Sequence, residues 1–306
     1  HRRAHRAMFS PRCPPARLPT LGRSVQLSPW SSTVVSMVNH VDRNTTLCVS
    51  LAARPSNHGV RFHNWLYAEL GLNFLYKAIA PTDIEQAVAG IRGLDIRGAG
   101  VSMPYKAAVI PLIDHVDPSA ARIQAVNTIV NDGGVLTGYN TDYSAVSELL
   151  ASHSVDTDLR VAVRGSGGMA KAVVAAITDY GMGGTGVARN AETGSELAEQ
   201  YGWAYSPEVP TDAQMLVNVT PLGMAGTDEN VQSFSDEEIG RADVICDVVA
   251  FPVSTPLIQA AQQRGIPTIN GGEIVALQAA QQFELYTGVR PSDELIEAAE
   301  RYSQQG

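Results

Sequence analysis

The strongest constraint on this fold is a glycine-rich turn between a buried strand and a helix. Residues 161–164 (Val-Ala-Val-Arg) have the pattern of a short strand, and an apolar helical pattern follows residue 168. Between them lies G-x-G-x-x-A, in which the first glycine permits a sharp turn and the second lets a phosphate approach the backbone. This context predicts a dinucleotide-binding loop, and a tight turn without a ligand is the alternative. The loop residues are Gly165, Ser166, Gly167, Gly168, Met169 and Ala170.

The next predicted strand indicates which dinucleotide is bound. It ends in Ala188-Arg189-Asn190 and carries no acid. Folds that bind NAD usually place Asp or Glu there for the ribose 2′-hydroxyl, whereas an arginine pairs with the 2′-phosphate of NADP. The sequence therefore predicts NADP as the cofactor, with Arg189 as a solvated surface residue the alternative. Arg164 and Lys171 are further candidates, although an arginine is unusual at a strand end that is normally apolar.

Strands and helices alternate past Met37, which predicts an α/β fold with parallel sheets and crossover helices. Thr82 and Glu85 match a capping box, as do Ser235 and Glu238. Residues 132–134 (Asp-Gly-Gly) predict a hairpin. The predicted strands are 46–52, 73–80, 96–103, 125–132, 134–142, 159–165, 185–190, 213–220 and 242–250. The predicted helices are 58–70, 82–94, 169–181, 191–202 and the stretch from 273, which breaks near 288–291 and resumes at a Ser292 cap.

Charge and cysteine content argue against several functions. The formal net charge is -9, and residues 1–36 contribute six Arg and no acid, so the remainder is strongly acidic. That balance is unfavourable for nucleic acid or an anionic membrane as a partner. No apolar run approaches the ~20 residues of a membrane span. Cys13, Cys48 and Cys246 suggest no disulfide framework, which favours a reducing, cytoplasmic setting. The seven His form no set with ligand spacing, so no metal is expected.

Residues 1–36 stand apart from the remainder. They are rich in Arg, Pro and Ser and show no helical periodicity. We interpret them as a disordered extension, or as translated sequence upstream of a start at Met37. A transit peptide has a similar composition and is the remaining alternative.

Lys106 and Asp142 are the candidate acid–base pair. Past residue 36 the chain has only three lysines, at 77, 106 and 171. Lys106 follows Gly-Val-Ser-Met-Pro-Tyr at a predicted strand end, and Asp142 ends Tyr-Asn-Thr-Asp at a strand-to-helix junction. Loops beyond strand ends commonly carry the sites of α/β proteins, and a Lys–Asp pair can pass a proton to or from a hydroxyl. By spacing alone, a helix-capping role for Asp142 and a surface position for Lys106 remain open.

Several separate motifs resemble those of the shikimate dehydrogenase family, in family order, over residues 46–290. GVSMPYK (100–106) resembles the substrate-loop motif, and AVNT (125–128) and YNTD (139–142) resemble two further signatures. The remaining matches are GSGGMA (165–170), the Arg189 turn, NVTPLGM (218–224), TPL (255–257) and EIVALQAAQQF (273–283).

The resemblance implies two α/β domains with a cleft between them. We expect an N-terminal substrate-binding domain over 37–145 plus 275–306, and a C-terminal Rossmann domain that binds NADP over 146–274. The implied reaction is reversible reduction of 3-dehydroshikimate to shikimate, a step towards chorismate and the aromatic amino acids. The implied partner is a cyclic polyol acid, and the protein is expected to be a monomer or a homodimer.

The resemblance also assigns roles to single residues. Lys106 and Asp142 take the catalytic positions. Contacts to the ring hydroxyls fall to Ser102, Asn127 and Gln278, and contacts to the cofactor fall to Thr220, Gly223 and Met224. Asn and Gln suit a polyol because each can donate and accept hydrogen bonds. A loop-capping Ser102, a turn-forming Asn127 and a solvent-facing Gln278 are the alternatives.

The chain departs from the usual family pattern at two places. Asn57 and Gly59 occupy the serine positions of the Ser-x-Ser-Pro segment that binds the substrate carboxylate in the family. Our hypothesis is that Ser56 and Asn57, with Arg54, reach the carboxylate instead. Ala250 replaces a common tyrosine, and losing that hydroxyl can change substrate affinity or preference by ~1–3 kcal/mol.

These departures indicate the divergent shikimate dehydrogenase-like subgroup. Quinate or an amino-cyclitol acid is therefore the alternative substrate. A non-catalytic regulator that binds NADP is the alternative from another functional class.

Overall fold

A computed structural model describes residues 41–305, so the extension predicted at 1–36 lies outside the described residues. The described chain forms two six-stranded sheets, which confirms the α/β prediction. No described helix is both long and apolar enough to cross a bilayer. The strands are β1 Thr46–Leu51, β2 Phe74–Ile79, β3 Gly98–Val101, β4 His115–Val116, β5 Thr128–Asp132, β6 Val135–Tyr139, β7 Val161–Arg164, β8 Gly184–Val187, β9 Ala204–Ser206, β10 Met215–Asn218, β11 Val244–Asp247 and β12 Thr268–Ile269. The helices are α1 His58–Glu69, α2 Ile84–Gly93, α3 Pro118–Ala121, α4 Thr141–Ser152, α5 Gly168–Asp179, α6 Ala191–Tyr201, α7 Asp236–Ile239, α8 Pro256–Gln263, α9 Gly271–Thr287 and α10 Asp293–Ser303, with a 3-10 turn at Ile110–Leu112.

The first sheet is mixed and has the order β2-β1-β3-β5-β6-β4. β1 runs parallel to β2 and β3, whereas β5 and β6 form the predicted antiparallel hairpin. Asp132 pairs with Val135, which leaves Gly133 and Gly134 as a two-residue loop. Their φ angles of +62° and +94° lie in the left-handed region that favours glycine.

The second sheet is wholly parallel and has the order β12-β11-β10-β7-β8-β9. The chain runs outward from β7 to β9 in one direction and then from β10 to β12 in the other. The order therefore reverses between β7 and β10. In open α/β sheets the carboxyl ends of the strands at such a switch point form a ligand-binding crevice.

Helices α4 and α9 connect the two sheets and pack against each other. α4 leads from the first sheet towards the second, and α9 begins two residues after β12. His153, just beyond α4, has its Nε2 atom 2.9 Å from Oε1 of Glu273 in the first turn of α9. The two chain segments that connect the sheets, α4 and α9, therefore lie side by side. α9 and α10 then pack against α1, the helix that follows the first strand of the first sheet. The exact limits of the two domains stay a prediction.

The predicted cap of α2 is wrong by one residue. Asp83, not Thr82, is the N-cap, and its carboxylate accepts a 2.9 Å hydrogen bond from the Gln86 amide. An aspartate at this position satisfies a free helix amide directly, so the Thr82 pattern is not used. The predicted capping box of Ser235 and Glu238 is present, and the strands that were not predicted, β4, β9 and β12, have only two or three residues.

His63 lies fully buried in an aromatic cluster between α1, β2 and α9. Its ring stacks on Tyr76, with ring centroids 4.3 Å apart and planes inclined by 14°. The ring of Phe283, on α9, has its centroid 6.1 Å from that of His63, and the two ring planes are nearly parallel. Burial lowers the pKa of His63 to about 3, so the imidazole is neutral at physiological pH.

We expect His63 to make the folded state sensitive to acid. Its folded-state pKa lies below the ordinary value of about 6.5, so its contribution to stability is complete above about pH 6.5 and is lost as the pH falls towards about 3. The loss approaches ~1.4 kcal/mol per pH unit. In His63→Phe, which keeps a flat ring, urea unfolding at several pH values should show a correspondingly shallower dependence. His115→Phe, at an exposed position, is the control, and an unaltered slope in His63→Phe contradicts the prediction.

Candidate active site

The glycine-rich loop joins β7 to α5, and its two glycines are required for different reasons. Gly165 has φ +123°, and a Cβ atom there would lie 2.8 Å from Cγ2 of Val219. The fold itself therefore demands glycine at this position. A Cβ atom on Gly167 would meet nothing within 4 Å. The protein leaves this position open, as the approach of a phosphate to the backbone requires.

A cavity of about 810 Å³ lies over this loop, at the carboxyl ends of the second sheet. Five of the predicted cofactor residues line it: Gly165, Ser166, Gly167, Arg189 and Thr220. The open face of Gly167, the free amides at the start of α5 and an arginine beyond β8 fit a dinucleotide that carries a 2′-phosphate.

The other predicted cofactor residues lie outside the lining of this cavity. Gly168 is the first residue of α5, and Ala170 is fully buried against the core, as close packing of helix and strand requires. Met169 is partly buried against that same core. Gly223 has φ +88° in the loop after β10, and Met224 beside it is 45% exposed.

A buried carboxylate fixes the loop at 218–224, which sequence reasoning did not foresee. Asp247 is fully buried and accepts hydrogen bonds from Thr255 Oγ1 at 2.6 Å and from Asn218 Nδ2 at 2.9 Å. Burial raises the pKa of Asp247, and these hydrogen bonds oppose that rise. Asn218 in turn accepts hydrogen bonds from the amide and hydroxyl of Thr220, at 3.1 and 2.6 Å. The network therefore holds Thr220 in the wall of the cofactor cavity.

A second, smaller cleft of about 260 Å³ brings the predicted catalytic pair together. Lys106 Nζ donates a 2.6 Å hydrogen bond to Oδ2 of Asp142. The Lys106 side chain is 32% exposed and that of Asp142 is 17% exposed, so the pair is sheltered but reachable. The backbone of Lys106 is fixed by a 2.8 Å hydrogen bond that its carbonyl oxygen accepts from the Val126 amide. Ser56, Ser102, Asn127 and Gln278 line the same cleft.

Asp142 is free to bind Lys106 because another residue caps α4. Asn140 is the N-cap, and its Oδ1 accepts a 2.9 Å hydrogen bond from the Tyr143 amide. Asp142 stands in the first helical turn, where the helix dipole favours a negative charge. The capping alternative for Asp142 is therefore wrong.

Asn127 and Gln278 converge on the residue beside Asp142. Asn127 Oδ1 accepts a 2.8 Å hydrogen bond from the Thr141 amide, and its Nδ2 donates to Thr141 Oγ1 at 3.0 Å. Oε1 of Gln278, on α9, accepts a 3.3 Å hydrogen bond from Thr141 Oγ1. Gln278 therefore faces the cleft. Asn127 therefore has both roles considered above: it bonds to the backbone of a turn, at the Thr141 amide, and it lines the cleft.

The segment before α1 contributes two of the three residues in our carboxylate hypothesis. Arg54 and Ser56 line the cleft, whereas Asn57 does not. Asn57 is the N-cap of α1, and its carbonyl oxygen accepts a 2.9 Å hydrogen bond from the amide of Arg61.

Four further polar residues of the cleft were not predicted: Ser50, His58, Tyr76 and Gln282. Burial raises the pKa of Tyr76, so its hydroxyl remains protonated. His58 Nε2 lies 2.9 Å from Oε2 of Glu300 on α10. These residues come from elements far apart along the chain, so no local motif marks them.

A parallel sheet with a dinucleotide-type loop, next to a cleft that holds a Lys–Asp pair, defines the class of α/β dehydrogenases. Residues 57–129 match the family model described as shikimate dehydrogenase substrate binding domain. The chain is 50% identical over 266 residues to a shikimate dehydrogenase-like protein of Haemophilus influenzae, covering 86% of this chain and 98% of the relative. It belongs to the shikimate dehydrogenase family, within the divergent subgroup predicted from the sequence.

Solved structures agree with this assignment. A shikimate 5-dehydrogenase-like protein at 50% identity superposes with a TM-score of 0.85, covering 87% of this chain and all of that one. A shikimate 5-dehydrogenase of Thermus thermophilus, solved with NADP(H) and shikimate, is 28% identical with a TM-score of 0.75, covering 84% of this chain and 99% of that one.

Substitution of the two loop glycines should separate folding from ligand binding. Gly165→Val is expected to destabilise the protein by ~3 kcal/mol, because it adds backbone strain and a contact with Val219. Gly167→Val should lower the melting temperature only slightly, since a Cβ atom there enters open space and the remaining cost is that of a poorer helix N-cap. It should nevertheless raise the Kd for NADP by roughly 100-fold, because the side chain keeps the phosphate away from the backbone and about two charge-assisted hydrogen bonds are lost. Thermal unfolding and fluorescence titration measure both quantities. Equal destabilisation by the two substitutions contradicts the prediction.

Proposed function

We propose that this protein is an NADP-dependent dehydrogenase that reversibly reduces 3-dehydroshikimate to shikimate. The observation that carries the proposal is the 2.6 Å contact between Lys106 and Asp142 in a polar cleft. Family membership supports it, as does the fit of the larger cavity to NADP. A regulator without catalytic function would not require a sheltered Lys–Asp pair.

The chemistry divides between the cofactor and the chain. Bound NADPH supplies the hydride that reaches the carbonyl carbon. In this direction the Lys106 ammonium donates a proton to the carbonyl oxygen, which becomes the new hydroxyl, and the lysine is left as a neutral amine. The Asp142 carboxylate accepts a hydrogen bond from the lysine and so orients it. The reverse reaction needs the neutral amine as the base.

The cleft walls suit a ring that carries several hydroxyls and one carboxylate. Asn127, Gln278 and Ser102 offer donors and acceptors for hydroxyls near the Lys–Asp pair. Arg54 and Ser56 offer a positive charge and a hydroxyl for the carboxylate.

Lys106→Ala should lower kcat for NADP-dependent oxidation of shikimate by about 10²–10⁴-fold, because the proton acceptor is lost. The measurement is the absorbance of the NADPH formed in mildly alkaline buffer. Lys77→Ala removes an exposed lysine on β2 and is the matched control, with unchanged kcat expected. Full activity of Lys106→Ala would remove the proposed role of this residue, whereas an inactive wild-type protein that still binds NADP would redirect the search to other ring polyols.

The carboxylate end of the cleft can be tested separately. The double substitution of Arg54 and Ser56 by Ala should raise KM for shikimate by roughly 10–100-fold, with little change in kcat, since uniform binding is lost. Asn57→Ala lies outside the cleft and should leave KM unchanged. The opposite result, in which Asn57→Ala raises KM and the double substitution does not, would place the substrate carboxylate at Asn57 instead.

Quinate or an amino-cyclitol acid is the second candidate substrate, favoured by one observation. Ala250 leaves the neighbourhood of the cleft without the usual tyrosine hydroxyl, and the next residue, Phe251, has its ring 5.8 Å from that of the cleft residue His58. Comparison of kcat/KM for shikimate, quinate and an amino-cyclitol acid decides among them.

A further inference from the structure

Arg164 is an unusual residue at the end of a central strand. Along β7, Ala162 joins the core cluster that contains Phe234, while Val161 and Val163 join the cluster on the α5 face. Arg164 continues the alternation, and its guanidinium carbon lies 4.8 Å from the centroid of the Phe234 ring. The arginine also lines the 810 Å³ cofactor cavity. The guanidinium therefore lies over an aromatic ring, next to an open cavity.

The interactions of this arginine with the described protein are incomplete. Its Nη2 lies 3.8 Å from Oε1 of Glu238, which is beyond hydrogen-bond distance. Its Nε is buried and has no hydrogen-bond partner among residues 41–305. Burial lowers the pKa of Arg164. Placing a half-buried cation here costs stability, and the described chain supplies no hydrogen bond to its buried Nε.

The surroundings of Arg164 favour a flat, uncharged ligand group over a second phosphate. Apolar side chains form much of the cavity wall: Val187, Pro207, Val219 and Leu222. Glu238 stands beside the guanidinium, and Asp228 also lines the cavity. These carboxylates would repel a phosphate but not a neutral base. The phosphate-binding features lie elsewhere, at the start of α5 and at Arg189.

We propose that Arg164 binds the adenine ring of the cofactor, with its guanidinium stacked between Phe234 and the base. A guanidinium is planar and stacks readily on aromatic faces. The charge of Glu238 attracts the cation across 3.8 Å, and the apolar wall covers the rest of the base. The assignment rests on the proposed use of NADP, and it makes Arg164 a contact to the part of the cofactor that NADP, NAD and AMP share.

Binding titrations of the full chain without substrate test this assignment. Arg164→Leu should raise the Kd values for NADP, NAD and AMP by a similar factor, roughly 5- to 30-fold, and leave binding of nicotinamide mononucleotide unchanged. Arg164→Lys keeps the charge without the planar group and should show most of that loss. Arg189→Leu is the comparison, because it should weaken NADP alone. Arg241→Leu, an exposed arginine paired with Glu237 on α7, should change nothing.

Two results would overturn the assignment. Unchanged Kd values in both Arg164 variants would make the residue purely structural, and a loss confined to NADP would make it a phosphate ligand. Should Arg164→Leu fail to fold, Arg164→Lys gives the same comparison with the charge retained. The test is independent of turnover. If the protein binds NADP through Arg164 but oxidises no ring acid, only the proposed substrate is wrong. If the wild-type protein binds neither a dinucleotide nor AMP, both the proposed cofactor and the role of Arg164 are wrong.

Discussion

The active site depends on one set of buried hydrogen bonds, between the side chain of Asn127 and residue Thr141. They join the start of β5 to the first turn of α4, and the side chain of Asn127 is only 3% exposed. α4 carries Asp142 and leads the chain towards the second sheet. A change at Asn127 therefore leaves buried polar groups unpaired, at about 1–3 kcal/mol each, and releases the helix that presents Asp142, the proposed partner of Lys106.

The amino-acid sequence predicted those parts of the molecule that have local causes. The hairpin at Gly133 and Gly134 and the dinucleotide loop at Gly165 follow from backbone angles that glycine adopts most readily. Long strands and helices follow from periodic burial. The pairing of Lys106 with Asp142 was predicted from family resemblance, because spacing alone left other roles open.

Other parts of the site could not be predicted, because their causes are not local. Tyr76 and Gln282 reach the cleft from β2 and α9, which meet only in the folded protein. Asp247 has the appearance of an ordinary strand end, and its role depends on Asn218 and Thr255 being brought beside it. The cap of α2 was misplaced because Thr82 and Asp83 both match capping patterns, and only geometry decides between them.

The two adjacent connections between the sheets, α4 and α9, have a consequence for how such a protein can be altered. All strands of the second sheet lie between residues 161 and 269, and the chain leaves and returns at neighbouring points joined by His153 and Glu273. In topological terms this segment is an insertion into the first half. Insertions with adjacent ends can be exchanged with little disturbance to their host. The part that carries the nucleotide cavity is thus structurally suited to replacement as a block, while the cleft that holds Lys106 is retained.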